Sequence, residues 1–172
     1  MSNPYGYAGT GWILSFTTGL PRRFCNMAIE RRSRVVWEGD LLKGNGNIEF
    51  QSSGLHSTPV TWASRTEDPN GKTSPEELMA AAHAACFSMA LSATLARSKH
   101  PPKSLDVSAK CTLDKKDEGF RITDMHLTPL VGEVDGMSED EFIKAANEAK
   151  EGCPVSNALK NNVNIHLDAR LK

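Results

Sequence analysis

From Arg34 onward, apolar and polar residues alternate in short runs that predict strands. RVVWEGDLL is followed by the Gly/Asn turn cluster KGNGN and then by IEFQSS. STPVTWAS predicts a third strand, with Pro59 near its start or on an edge. TEDPNGK, residues 66–72, breaks the alternation. Beyond it Ser74 is a good N-cap, Pro75 suits the first helical position, and Glu76 and Glu77 complement the positive end of a helix dipole. Glu77 also stands at the capping-box distance from Ser74. The helix runs to about Arg97, where KHPPK stops it. Between Leu78 and Leu95 it is apolar almost all round, which demands burial on most sides. A chain of this size meets that demand only if the helix lies centrally or a second chain covers one face.

The second half repeats the strand rhythm. SLDVSAKCTLD puts Leu105, Val107, Ala109 and Cys111 on one face, KKDEG turns, and FRITDMHLTPLVGEV returns as a long strand. Ser138 to about Lys150 predicts an amphipathic helix with Ser138 as N-cap and Glu141 three residues on. GCPVSNALK opens a short helix, and NVNIHLDARL closes the chain as an alternating strand. The predicted order is βββ–α–ββ–αα–β, an α+β fold with antiparallel sheets around a long central helix.

Composition narrows the class. At 172 residues the chain is about one domain long, and its 20 Lys and Arg balance 21 Asp and Glu. That balance gives no electrostatic reason to expect nucleic acid or an anionic membrane as partner, and neither is expected. No uninterrupted apolar run approaches the roughly 18 residues of a membrane-spanning helix, so a soluble, cytoplasmic protein is expected. Residues 1–29 lack Asp and Glu, carry Arg22 and Arg23, and are rich in Gly, Thr and Pro. Residues 1–33 therefore read as an extension, disordered or loosely docked, with a transit-like segment as the alternative and Met27 as a possible true start. The folded domain is expected over residues 34–172.

The chemistry that stands out is sulfur. Cys25, Cys86, Cys111 and Cys153 are too sparse for a secreted disulfide scaffold, and no CxxC or paired Cys/His spacing supports a metal site. Cys111 on its apolar face reads as a buried, inert thiol. Cys153 lies between Gly152, which ends one helix, and Pro154, which starts the next. That N-cap position suits a thiolate, or equally an ordinary capping residue. Cys86 lies in the most apolar helix, where burial alone keeps a thiol protonated and unreactive. Reactivity would need a cation from another segment, because His83, the only candidate within a turn, reads as packing. Glu76 alone reads as a first-turn acid complementing the dipole.

TSPEELMAAAHAACFSMALS, EGCPVSNALK and VVWEGDLLKGNG together resemble the OsmC branch of the OsmC/Ohr family of organic hydroperoxide reductases, over about residues 34–171. The resemblance implies a thiol peroxidase with Cys86 as peroxidatic and Cys153 as resolving cysteine, joined as an intramolecular disulfide after turnover. It assigns Arg65, in TWASRTE, to thiolate and peroxide stabilisation and Glu76 to orienting Arg65. It implies an intertwined homodimer with sites at the interface, a dithiol reductant of the lipoyl type, and no metal or organic cofactor. Ten helical residues separate Glu76 from Cys86 by about 15 Å, too far for one site in one chain, so Glu76 is expected from the partner subunit. Apolar Leu78, Phe87 and Met89 near Cys86 would favour organic hydroperoxides. The rival reading is a binding or interaction module of the same fold with inert thiols. An RNA-binding domain lacks the basic face or GXXG loop it would need.

Overall fold

The computed structural model describes residues 28–131 and 134–171. Most of the expected N-terminal extension, including Cys25 and Met27, lies outside the described residues. What is seen of its end is tied down: Arg32 N–H donates to Ser52 Oγ at 2.6 Å, and Ser33 Oγ donates to Glu49 O at 2.8 Å.

A small antiparallel sheet comes first, with β1 (Arg34–Glu38), β2 (Asn45–Glu49) and β3 (Thr58–Val60) in chain order. Trp37 stands directly opposite Gly46, and a Cβ at Gly46 would come within 2.9 Å of both the Trp37 ring and Val60 Cγ1. The tryptophan therefore needs glycine beneath it.

The third predicted strand is shorter than expected, because the chain turns into a helix, α1 (Trp62–Thr66). The cause is a capping box missed in the sequence. Ser64 N–H donates to Thr61 Oγ1 at 3.0 Å while Thr61 N–H donates to Ser64 Oγ at 3.0 Å.

The long helix α2 (Pro75–Arg97) starts at Ser74 as expected, with Glu77 N–H donating to Ser74 Oγ at 3.1 Å. The reciprocal half of that box is absent. The Glu77 carboxylate instead takes the Thr73 hydroxyl at 2.6 Å, a donor one residue further upstream.

β4 (Leu105–Lys116) and β5 (Gly119–Val131) form the long antiparallel hairpin. α3 (Glu139–Gly152) and α4 (Pro154–Leu159) follow, α3 with the full Ser138–Glu141 box. The predicted terminal strand is split into β6 (Asn164–Leu167) and β7 (Arg170–Leu171), both parallel to β5. The split falls where Asp168 N–H donates to Leu127 O. The second sheet is thus mixed where antiparallel pairing was expected. A helical crossover between β5 and β6 returns the chain to the end where β5 began, which imposes the parallel direction.

The core forms where α2 and α3 lie on the second sheet: Phe87, Leu91 and Leu95 pack against Leu127, Phe142 and Ala146. Each large side chain so buried contributes about 1.5–3 kcal/mol. The opposite face of α2 is open. Ala81, Ala82, Ala85, Met89, Ala93 and Ala96 are exposed, with Met89 67% accessible. Burial of α2 on most sides is therefore not met by the described residues. The first sheet also leaves Val35, Trp37, Leu41 and Leu42 exposed.

Candidate active site

Two sulfurs face one another at the start of α4. Cys86, in mid-α2, and Cys153, the N-cap of α4, have Sγ atoms 3.3 Å apart, far longer than the roughly 2.05 Å of a covalent S–S bond. Gly152 closes α3 and Pro154 opens α4, so Cys153 is fixed between two helix termini and is fully buried.

The environments of the two thiols push them apart. Burial raises the Cys86 pKa, the Val155 N–H pulls it down, and Cys153 raises it further, so the net shift is upward. Burial opposes ionisation of Cys153 as well. Here the Ser156 N–H and hydroxyl, the Cys86 thiol and the Val155 N–H outweigh it, and its pKa falls. Within one chain Cys153 is the sulfur whose surroundings favour ionisation, and Cys86 the one whose surroundings oppose it. No basic side chain is among the groups that shift Cys86.

A partly buried guanidinium lies at the other end of α2. Arg65 Nε and Nη2 both donate to Glu76 Oε1, at 2.9 and 2.7 Å. The pair is partly buried, with side-chain exposures of 29% and 10%. The Arg65 guanidinium also lies 5.9 Å from the Trp62 ring centroid. Local chemistry positions it: Ser64 Oγ donates to Thr73 O at 2.9 Å, pinning α1 against the segment that leads into α2. The second carboxylate oxygen, Glu76 Oε2, is buried without a hydrogen-bond partner among the described residues.

The four expected site residues thus form two pairs, Arg65 with Glu76 and Cys86 with Cys153. One chain does not bring the pairs together, since about 15 Å of helix separates Glu76 from Cys86. Glu76 was expected to reach Cys86 from a partner subunit; within the chain it is paired with Arg65, so a subunit contributing Glu76 to another chain's Cys86 would contribute Arg65 with it.

Beside Arg65 an apolar groove of about 420 Å³ runs between the first sheet and the start of α2, lined by Trp37, Leu41, Trp62, Pro75 and Leu78. Phe87, expected near the reacting sulfur, is fully buried in the core, and Met89 lies on the exposed stripe of α2. Cys111 lines a cleft with Arg65 and Glu76 on the far side of that pair. Cys111 is half-buried rather than buried as expected; burial, then the Glu76 charge, push its thiol up.

Ser156 escaped sequence reading. It occupies the third position after the Cys153 cap, where a cap's partner belongs, and that spacing was its only local signal. His83 Nε2 lies 2.8 Å from Ser156 Oγ, so the packing histidine is also a hydrogen-bonded one.

One trio, Asp124, His126 and His166, gathers three potential metal-ligand atoms within 4.8 Å. The imidazole rings are stacked, 4.3 Å apart and 17° from parallel. An ion between them would lie out of both ring planes, away from the nitrogen lone pairs. Asp124 Oδ1 already holds His166 Nε2 at 2.8 Å. The trio reads as a cross-strand polar cluster.

The family model described as OsmC-like protein matches residues 68–168. Peroxiredoxin OsmC of Escherichia coli (strain K12) is 43% identical over 146 residues, covering 85% of this chain and 99% of that protein. The organic hydroperoxide resistance protein OhrA of Bacillus subtilis (strain 168) is 32% identical over 133 residues, covering 76% and 86% respectively. Among solved structures, the organic hydroperoxide resistance protein OsmC of Legionella pneumophila matches with a TM-score of 0.68 at 23% identity, over 84% of this chain and 99% of that one. That last likeness speaks for the fold. The chain belongs to the OsmC-like family.

Proposed function

We propose that this chain is a thiol-dependent peroxidase that reduces organic hydroperoxides to alcohols and works as a homodimer. The observation that carries the reading is the 3.3 Å approach of the Cys86 and Cys153 sulfurs at a helix N-terminus. The Cys86 thiolate attacks the distal oxygen of ROOH, the O–O bond breaks, and the alkoxide leaves as alcohol after taking a proton. Cys86 is left as a sulfenic acid, which Cys153 converts to a disulfide. A small dithiol, with a dihydrolipoyl group as the expected donor, reduces that disulfide by exchange.

Arg65 and Glu76 enter as a preassembled pair from the second subunit. A guanidinium that never loses its charge, held by a carboxylate, would lower the Cys86 pKa and orient the peroxide. The open apolar stripe of α2 supports a partner lying along it, and the groove beside Arg65 supports an apolar R group. The names of the relatives agree with this chemistry. The rival, a binding module with inert thiols, draws on the upward shift of Cys86 in the isolated chain.

Steady-state turnover of cumene hydroperoxide with dihydrolipoamide, wild type beside Cys86→Ser, separates the two. Turnover abolished by the substitution establishes the peroxidase. Fully reduced wild-type protein that consumes no peroxide with either dihydrolipoamide or dithiothreitol leaves the binding reading.

A further inference from the structure

The Cys86 and Cys153 sulfurs are unbonded and 3.3 Å apart, and the fold holds that spacing from both sides. Cys86 is carried by the middle of α2. Cys153 is fixed at the junction of α3 and α4, where its N–H donates to Lys150 O at 3.3 Å and its C=O accepts from Asn157 N–H at 3.0 Å. Three residues away on each helix, His83 Nε2 lies 2.8 Å from Ser156 Oγ and ties α2 to α4 a second time.

That spacing selects among the centres that can bond two sulfurs. A disulfide draws them in to about 2.05 Å. Around zinc, bonds of about 2.3 Å at the tetrahedral angle put two sulfurs about 3.8 Å apart, and two further ligands are needed. The three-ligand group that the described residues do form lies elsewhere, at Asp124, His126 and His166. A pyramidal trivalent centre differs on both counts. Bonds of about the same 2.3 Å meeting at roughly 90–100° span about 3.3–3.5 Å, and the third bond goes to a substituent the centre brings with it. Trivalent arsenic has that shape and the softness that thiolate prefers.

We infer that reduced Cys86 and Cys153 are a chelating site for a monosubstituted trivalent arsenical, R–As=O. Two As–S bonds form, the As–O bond breaks, and the oxygen leaves as water with the two thiol protons. Arsenic stays trivalent and each sulfur stays at the thiol level, so no oxidant or reductant enters. The product is neutral, which suits a site where Cys153 is fully buried. Cys86 is half-buried, and R leaves the site on its side. The lowered pKa of Cys153 supplies a thiolate for the first bond. The second bond then closes within one molecule, which raises retention about 10²–10⁴-fold over a single thiol. One consequence rests on the peroxidase reading: the arsenical occupies both reacting sulfurs and blocks attack on peroxide while it stays.

The probe is phenylarsine oxide, added to the reduced full chain and followed by a wash with excess 2-mercaptoethanol and intact mass. The wild type should retain one arsenical per chain. Cys86→Ser and Cys153→Ser should each need at least about a hundredfold more reagent for the same occupancy, and Cys111→Ser should match the wild type. Wild type oxidised with diamide to the Cys86–Cys153 disulfide should retain none, an arm that needs no substitution and stands if a variant fails to fold. Undiminished retention in Cys86→Ser or Cys153→Ser, retention by the oxidised protein, or loss of the adduct to the monothiol wash overturns the proposal.

A second measurement separates the site from its consequence. One equivalent of cumene hydroperoxide, without any dithiol, should be consumed by reduced wild type and left intact by the arsenical adduct. Removal of the arsenic with 2,3-dimercaptopropanol, followed by desalting, should restore consumption. An adduct that still consumes peroxide at the wild-type rate overturns the claim that arsenic occupies the reacting sulfurs. If untreated reduced protein also leaves the peroxide intact, the peroxidase reading fails, while the retained adduct still decides the site.

Discussion

Glu76 uses one oxygen for two Arg65 N–H groups and keeps the other idle. Glu76→Gln preserves the volume but removes the charge that aligns the guanidinium. The loss of two charge-assisted hydrogen bonds at a part-buried site should cost about 1–3 kcal/mol in urea unfolding. Peroxide turnover should fall at least about tenfold, because Arg65 is then free to swing from its aim. A variant with wild-type turnover would show that Arg65 needs no such anchor. At this scale Cys86, Cys153 and Arg65 were legible from their motifs, and Glu76 from its place behind Ser74 and Pro75. Ser156 was not, because its importance comes from His83, 73 residues away, and no periodicity reports such a contact.

Among the elements, α2 and α3 were readable from caps and periodicity, and so was the β4–β5 hairpin. The errors fell where two weak signals met. A threonine and a serine three apart turned the end of a predicted strand into α1, which is the element that presents Arg65. The first sheet depends on Gly46 beneath Trp37. Gly46→Ala should lower stability by about 1–3 kcal/mol through overpacking, read as a shift in denaturant midpoint with an unchanged slope. In the second sheet, the His166 ring nitrogen 2.8 Å from its Oδ1 holds Asp124 down to about 2, from an ordinary 3.8. A carboxylate whose folded pKa is depressed adds stability that is complete above its unfolded value and fades as pH falls toward the folded one. Thermal midpoints of the wild type should therefore drop more steeply than those of Asp124→Asn between about pH 3.8 and 2. Parallel curves through that window would remove Asp124 from the acid response.

For the whole molecule, the informative feature is a helix with one side in the core and the other open and apolar. Its all-round apolarity was visible in the sequence, and so was the choice between a central place and a covering partner. Among the described residues nothing completes its burial. Under the proposed assembly, Met89→Asp places a charge in the middle of the covered stripe. It should shift the protein to a monomer in sedimentation and abolish turnover together. A monomer that keeps full peroxidase activity would show that each chain is self-sufficient.

The separation of Arg65–Glu76 from Cys86–Cys153 also has a genetic consequence. Cys86→Ser and Arg65→Gln chains should each be dead alone, yet a cell carrying both alleles would assemble mixed pairs. Under the proposed assembly every mixed pair would hold one intact reaction centre, taking its sulfurs from one product and its guanidinium from the other. Random pairing would then restore about a quarter of normal activity. Two broken alleles would complement one another within a single gene, an outcome that is closed to any enzyme whose catalytic groups all come from one chain.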